Sequence, residues 1–289
     1  MSWIALLLAV LTVAVRAEAA PDLRARAYVL VDARTGRVLA ERDARLPWAP
    51  ASTTKILTAL LVVESLDLSD EVVVSRRAEA QRRGAVVGLR SGERRTVEEL
   101  LYAVLLHSAN DAAVALAEAV AGSVEAFVAQ MNRKAQRLGA RHTHFVNPHG
   151  LDHPEHRSTA YDLALLARAA LGNPTLARIV RTRTYAYRTA DGVRVLENRN
   201  RLLATYPGAN GVKTGWTARS GPSLVASAER GGRTLVGVVL DSPDVFGDAA
   251  RLLDFGFQLY RLRSRTQPGG GRLTAPPERS AQRPLDSLW

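Results

Sequence analysis

The chain has 289 residues, 47% of them hydrophobic, with no cysteine and a formal charge of +11. Such length and apolar content exclude a wholly disordered chain, and the missing cysteines exclude a disulfide scaffold, thiolate metal sites and a cysteine nucleophile. Of the 39 basic residues only Lys55, Lys134 and Lys213 are lysines, and the arginines are scattered rather than gathered in a stripe; with no zinc-finger spacing, aromatic RNA motif or long basic helix, nucleic acid is not an expected partner.

Trp3 to Val15 is an apolar run too short for a comfortable membrane span, and Ala17-Glu18-Ala19 follows as an A-x-A-like cleavage site. Residues 1–19 therefore read as a secretory signal, cleaved or retained as an anchor, and the protein is expected outside the cytoplasm, in the periplasm or at the cell surface. Ala27 to Asp32 and Arg37 to Glu41 read as a hairpin around Gly36. Beyond the proline-bounded loop Leu46 to Pro50, Ser52 opens a helical pattern that ends near Leu66. Thr96 and Glu99 form a capping box for a helix from Val97 to His107, with a second helix from about Asp111 to Ala121. Val124 to Leu138 repeats at helical spacing up to Gly139, and Thr159-x-x-Asp162 heads a helix stopped at Gly172-Asn173-Pro174. Strand character returns at Tyr185 to Arg188, Val193 to Leu196, Ser223 to Ala228 and Thr234 to Asp241, and Ala249 to Tyr260 reads as a closing helix.

Strands at both chain ends around a helical middle predict an α+β domain over residues 20–260, with one antiparallel sheet built from the two ends and a helical insert. Residues 261–289 carry six arginines against Glu278 and Asp286 among prolines and glycines, and read as a disordered basic tail. A weak attraction of this tail to anionic membranes or wall polymers is the secondary expectation, after a solvated linker.

Three short elements carry the chemistry. In Ser52-Thr53-Thr54-Lys55, one helical turn separates a hydroxyl from an amine, so both face the same way. A serine nucleophile needs an adjacent base, and a desolvated lysine can serve as one. Ser108-Ala109-Asn110, between two helices, can line one wall of a cleft with a hydroxyl and an amide. Lys213-Thr214-Gly215, followed by Trp216, suits an edge strand on which Lys213 and Thr214 bind a carboxylate while Gly215 allows a substrate backbone to approach. S-x-x-K, S-x-N and K-T-G in this order are the motif trio of β-lactamases and penicillin-binding proteins, whose middle member is usually S-D-N.

With these motifs, and with segments such as FVNPHGLD, STAYDLALLARAAL and YPGANGVKTGWT in the same order, the mature chain resembles the serine D-alanyl-D-alanine carboxypeptidases, the low-molecular-mass penicillin-binding proteins. The resemblance implies a DD-peptidase fold, removal of the terminal D-Ala from peptidoglycan stem pentapeptides, and β-lactams as covalent inhibitors. It assigns Ser52 as the acylated nucleophile, Lys55 as its base and Ser108 as the proton relay to the leaving D-Ala. It places Asn110 on the substrate amide, Lys213 and Thr214 on the terminal carboxylate, and the backbone N–H groups of Ser52 and Trp216 in the oxyanion hole. No cofactor is implied.

Three departures stand out. Ala109 replaces the usual glycine, the loop Asp241 to Asp248 lacks the arginine many relatives place near the substrate carboxylate, and the arginine-rich tail stands where many relatives add a β-domain and an amphipathic anchoring helix. A D,D-endopeptidase shares every motif. A class A-like β-lactamase would want a glutamate for the deacylating water, and Glu118, Glu125, Glu155 and Glu197 lack an E-x-x-x-N context. His142, His144, His149, His153 and His156 cluster without H-E-x-x-H, so no metal site is expected. Asn198-Arg199-Asn200 either orients the active-site strand or ends a hairpin.

Overall fold

The computed structural model describes residues 21–189 and 192–265. The signal sequence expected over residues 1–19 and most of the expected tail lie outside the described residues.

The main sheet has five antiparallel strands: β1 (Ala27–Asp32), β2 (Val38–Arg42), β7 (Ala209–Gly215), β8 (Ser223–Arg230) and β9 (Arg233–Leu240). Their order is β2-β1-β9-β8-β7, so the two ends of the chain meet at the β1–β9 pair, as the sequence predicts. β1 is apolar without alternation because both its faces are covered. Val29 and Val31 join Val225, Val236 and Val238 in the core under the helical lobe, whereas Tyr28 and Leu30 join Leu224, Ala226 and Val239 beneath the closing helix.

The helical lobe begins with a single 3-10 turn, Ala51–Thr54, that runs into α1 (Lys55–Ser65). A small two-stranded sheet, β3 (Glu71–Val73) with β4 (Arg94–Thr96), and the short α2 (Arg76–Ala80) come next; none of these three announces itself in the hydrophobic pattern. The capping box is present, with Thr96 Oγ1 accepting from the Glu99 N–H and the Glu99 carboxylate accepting from the Thr96 N–H. The helix it starts is α-helical only over α3 (Val97–Tyr102). Residues 103–107 then widen into a π turn that closes with Ser108 in the left-handed region at φ 71°. The expected α-helix to His107 is thus corrected in its last turn. One residue more per turn rotates the chain beyond it and sets Ser108 at the joint with α4 (Asn110–Ala121).

α5 (Val124–Arg137) buries Phe127, Met131 and Ala135, and α6 (Ala160–Leu171) packs against β1 and β9. Asn173-Pro174, expected to be a stop alone, also starts a helix: Asn173 Oδ1 accepts from the Leu176 N–H and Pro174 occupies the first position of α7 (Pro174–Val180). The hairpin β5 (Thr184–Thr189) and β6 (Gly192–Glu197) forms its own two-stranded sheet rather than joining the main one.

After β6, Asn200 answers one question left open by the sequence. Buried, it donates from Nδ2 to the Gly211 carbonyl at 2.8 Å and accepts the Leu202 N–H, which opens α8 (Leu202–Thr205). It therefore ties the start of β7 in place. α9 (Val245–Arg265) covers the far face of the sheet through Leu252, Leu253 and Phe257, each contributing roughly 1.5–3 kcal/mol by burial. It extends five residues past the expected end at Tyr260, so the segment expected to be disordered from residue 261 begins as helix.

Candidate active site

The 3-10 turn is the geometric centre of the site. Ala51 sits at φ 47°, a left-handed conformation unfavourable for a residue with a Cβ. Packing holds it there. Thr53 Oγ1 donates to the Pro50 carbonyl at 2.6 Å and Thr54 Oγ1 to the Ala51 carbonyl at 2.8 Å. Gly150, at φ 89°, lies so close that a Cβ there would stand 1.8 Å from the Ala51 oxygen. Gly215, at the end of β7, is more mildly constrained: its Cβ would meet the Pro50 oxygen, Ala51 and Thr53 tightly, at 3.1–3.2 Å. The glycine of K-T-G thus lets the strand lie closely against the serine turn.

Lys55, the first residue of α1, is fully buried. Its Nζ lies 3.1 Å from Ser52 Oγ, 2.6 Å from Asn110 Oδ1 and 2.5 Å from the His149 carbonyl. Burial, with the Lys213 and Arg199 charges nearby, holds the amine well below the usual lysine range. A neutral amine has two hydrogens and one lone pair. The carbonyl oxygens of Asn110 and His149 take the hydrogens, which leaves the lone pair for the Ser52 hydroxyl to donate to. The arrangement can thus remove a proton from Ser52.

Asn110 is held as firmly as the lysine it orients. Its Nδ2 donates to the Arg83 carbonyl at 2.7 Å and its own N–H to the Ala85 carbonyl at 2.7 Å. Asp111, next in sequence and buried, accepts the N–H groups of Val87, Gly88 and Leu89. The segment from Arg83 to Leu89 is therefore fastened along the start of α4. The Asn110 amide oxygen is taken by Lys55, whereas Nδ2 spends one of its two hydrogens on Arg83 and keeps the other for a substrate carbonyl. Ser108 is buried at the mouth of α4 and, among the described residues, hydrogen-bonds to neither Ser52 nor Lys55.

On the opposite wall β7 presents Lys213, Thr214 and Gly215 at the sheet edge. Lys213 is buried, and burial together with Arg199 pushes its amine down to about 7. Among the described residues its Nζ donates to the Thr214 carbonyl alone, at 3.2 Å. Trp216, just beyond the strand, is 68% exposed. Thr217 Oγ1 donates to Asp152 at 2.7 Å and Arg219 to the carbonyls of His153 and Pro154, which fastens this end to the histidine-rich loop. Of the expected trio, the Lys55 amine joins Ser52 and Asn110 directly, and Lys213 lies near enough for its charge to bear on Lys55.

Residues not singled out as catalytic complete the cleft. The His149 carbonyl and Gly150 act through the backbone, which no side-chain motif reveals. Arg199, embedded in the N-R-N triplet, adds a positive charge that bears on Lys55, Lys213 and His107. The loop before α9 lacks an arginine, and Arg251 in that helix is bound to Asp244 and Asp248.

A profile of the D-alanyl-D-alanine carboxypeptidase family matches residues 14–244. The chain belongs to that family. Among its members, DacB2 of Mycobacterium tuberculosis is 40% identical over 247 residues, covering 83% of this chain and 84% of DacB2. DacF of Bacillus subtilis is 39% identical over 245 residues, covering 82% of this chain and 63% of DacF, so the chain spans less than two thirds of that relative. The crystal structure of a D-alanyl-D-alanine carboxypeptidase from M. tuberculosis superposes with a TM-score of 0.79 at 38% identity, over 83% of this chain and 93% of that one. A variant of the Streptomyces K15 DD-transpeptidase superposes at 0.77 with 32% identity, over 82% of this chain and 99% of that one. The α+β architecture expected from the sequence is the one these family members share.

Gly150→Ala is expected to lower the unfolding free energy by at least about 2 kcal/mol, through a strained φ and a collision with the Ala51 carbonyl. Urea denaturation followed by circular dichroism checks it.

Proposed function

We propose that the protein is a serine D,D-carboxypeptidase that removes the terminal D-Ala from peptidoglycan stem pentapeptides through an acyl-enzyme on Ser52, and that β-lactams acylate the same residue. The observation that carries the reading is the buried Lys55 amine, held between the Asn110 and His149 carbonyl oxygens with Ser52 Oγ 3.1 Å away. Ser52 Oγ attacks the penultimate D-Ala carbonyl as its proton passes to Lys55. The developing oxyanion is met by the N–H groups of Ser52 and Trp216. The proton taken by Lys55 passes through Ser108 to the leaving D-Ala nitrogen, the peptide C–N bond breaks, and water then hydrolyses the ester to restore Ser52. Lys213 and Thr214 receive the terminal carboxylate, and Asn110 the substrate amide. Arg199, and Lys213 once it is protonated, leave the cleft positive while Lys55 stays neutral, which favours a peptide ending in a carboxylate.

An amine acceptor in place of water gives transpeptidation, and cross-linked dimers as substrate give endopeptidase activity on the same residues. A β-lactamase has less support: Glu118 accepts from Ser75 and Glu125 pairs with Arg77, so both are engaged apart from Ser52. The apolar run near the N-terminus supports export, and the six arginines after residue 260 support a weak attraction to anionic membrane or wall polymers.

Fluorescent penicillin tests the reading directly. Labelling of the wild type and its loss in Ser52→Ala are expected; an unlabelled wild type, or rapid turnover of nitrocefin, overturns it. Mass analysis of treated muropeptides separates loss of one D-Ala from cleavage of dimers.

The two cleft lysines are expected to respond differently to arginine. A guanidinium does not deprotonate at accessible pH, so Lys55→Arg loses its base, and acylation falls by about 10²–10⁴-fold. Lys213→Arg keeps a cation and loses roughly tenfold, the cost of one misaligned charge-assisted hydrogen bond. Equal acylation rates in the two variants would show these roles to be wrong.

The pH profile separates them further. The Lys213 amine, lowered to about 7, is cationic below that pH and neutral above it. Carboxylate binding by the free enzyme is thus present at low pH and fades as pH rises through about 7. A falling limb of kcat/KM centred there is expected in the wild type and absent in Lys213→Arg, read from initial rates on a D-Ala-D-Ala peptide.

A further inference from the structure

His156 lies outside the motif trio, yet it is buried to 2% exposure behind the serine turn. Its Nδ1 accepts the Val146 N–H at 3.0 Å, so the ring proton belongs on Nε2. Nε2 stands 2.9 Å from Thr54 Oγ1. The single hydroxyl proton of Thr54 is directed at the Ala51 carbonyl, 2.8 Å away, which leaves a Thr54 lone pair to accept from His156. Burial, with His144 and His153 close by, lowers the imidazole to about 3 and keeps this neutral tautomer at any physiological pH.

The chain of donors ends on a peptide group with a particular duty. The Ala51 carbonyl and the Ser52 N–H share one planar trans peptide and therefore point in opposite directions. Fixing the carbonyl toward Thr54 aims the Ser52 N–H the other way. Ala51 is left-handed, so the peptide has an incentive to rotate toward relaxed geometry. Gly150 blocks that rotation by contact and the Thr54 hydroxyl blocks it by hydrogen bonding.

We propose that His156 is a positioning residue for the reaction: through Thr54 it holds the Ala51–Ser52 peptide plane so that the Ser52 N–H faces the oxyanion. This rests on Ser52 being the nucleophile and its N–H an oxyanion donor, as in the proposed carboxypeptidase reaction. An N–H aimed at the oxyanion strengthens its bond as charge develops, so the relay acts on the acylation step and not on ground-state binding.

The test separates the acylation rate constant from the dissociation constant for a fluorescent penicillin, by stopped flow, in Thr54→Val, Thr54→Ser and His156→Phe. Thr54→Val keeps the shape and removes the hydroxyl; its acylation constant is expected to fall roughly ten- to hundredfold with the dissociation constant unchanged. Thr54→Ser restores the hydroxyl and the rate to within about threefold. His156→Phe combined with Thr54→Val should fall no further than the worse single variant, because both break one chain. A Thr54→Val rate within twofold of wild type, an equal fall in Thr54→Ser, a change confined to the dissociation constant, or additive losses would each overturn the proposal. Nitrogen NMR of the histidine rings in the wild type needs no variant to fold: a proton on Nε2 of His156 is required, and one on Nδ1 refutes the relay. A wild type that penicillin does not label at Ser52 is a failure of the function itself, and the NMR result then stands apart from it.

Discussion

The site depends on keeping one amine uncharged and aimed. Lys55 begins a helix whose apolar face is core, so its side chain is drawn into the protein and, among the described residues, no carboxylate touches it. A buried ammonium without an ion partner is expensive, and shedding the proton relieves most of that penalty. Hydrogen bonding then fixes where the lone pair points. One acceptor comes from α4 and the other from the loop before α6, so the helical lobe must be assembled before the amine is oriented. Asp111 is an acid whose charge bears on Lys55, and its oxygens are taken by the backbone N–H groups of Val87, Gly88 and Leu89. Its charge is spent on fastening that segment rather than on neutralising the lysine.

A second constraint is the strain at Ala51. A left-handed alanine persists only where its surroundings over-determine it, and here they do so from three sides. Thr54 holds the carbonyl, Gly150 fills the space behind it, and Gly215 brings β7 against the turn. The same contacts join the three parts of the cleft: serine turn, histidine-rich loop and edge strand. Geometry at Ser52 is therefore a property of the contact between the sheet and the helical lobe, and the core shared by both holds it steady.

Much of this was legible in the sequence, for identifiable reasons. Ser52 and Lys55 are one helical turn apart, and a local spacing survives into the fold as a 3.1 Å contact. The β1–β9 pairing reflects apolar strands at both chain ends, and Lys213-Thr214-Gly215 falls on an edge strand as its composition suggests. The features that stayed hidden are set by tertiary closure. The π turn over residues 103–107 places Ser108, but no residue in AVLLH prefers a wider turn. The His149 carbonyl carries no side-chain signature. Asn173-Pro174 was ambiguous because the pair that ends one helix also has the preferred cap and first residue of another. The short β3, β4 and α2 bury too few residues to set up a readable period.

The distribution of basic residues takes on a physical meaning once burial is known. Arginine supplies most of the +11 charge, on surfaces where a permanent, well-solvated cation is harmless or pairs with an acid. Two of the three lysines are the two fully buried cations of the cleft, and the third, Lys134, meets Glu64 at the surface. A guanidinium at either buried position would hold its charge against the full desolvation penalty, with the other cation opposite. An amine can instead lower its pKa, to about 7 at Lys213 and well below the normal range at Lys55. The two then need not be charged together, and an arriving carboxylate recharges Lys213 without obliging Lys55 to follow. Lys55 must be able to give up its proton, which arginine does not do, whereas Lys213 must be able to take one up when the carboxylate arrives.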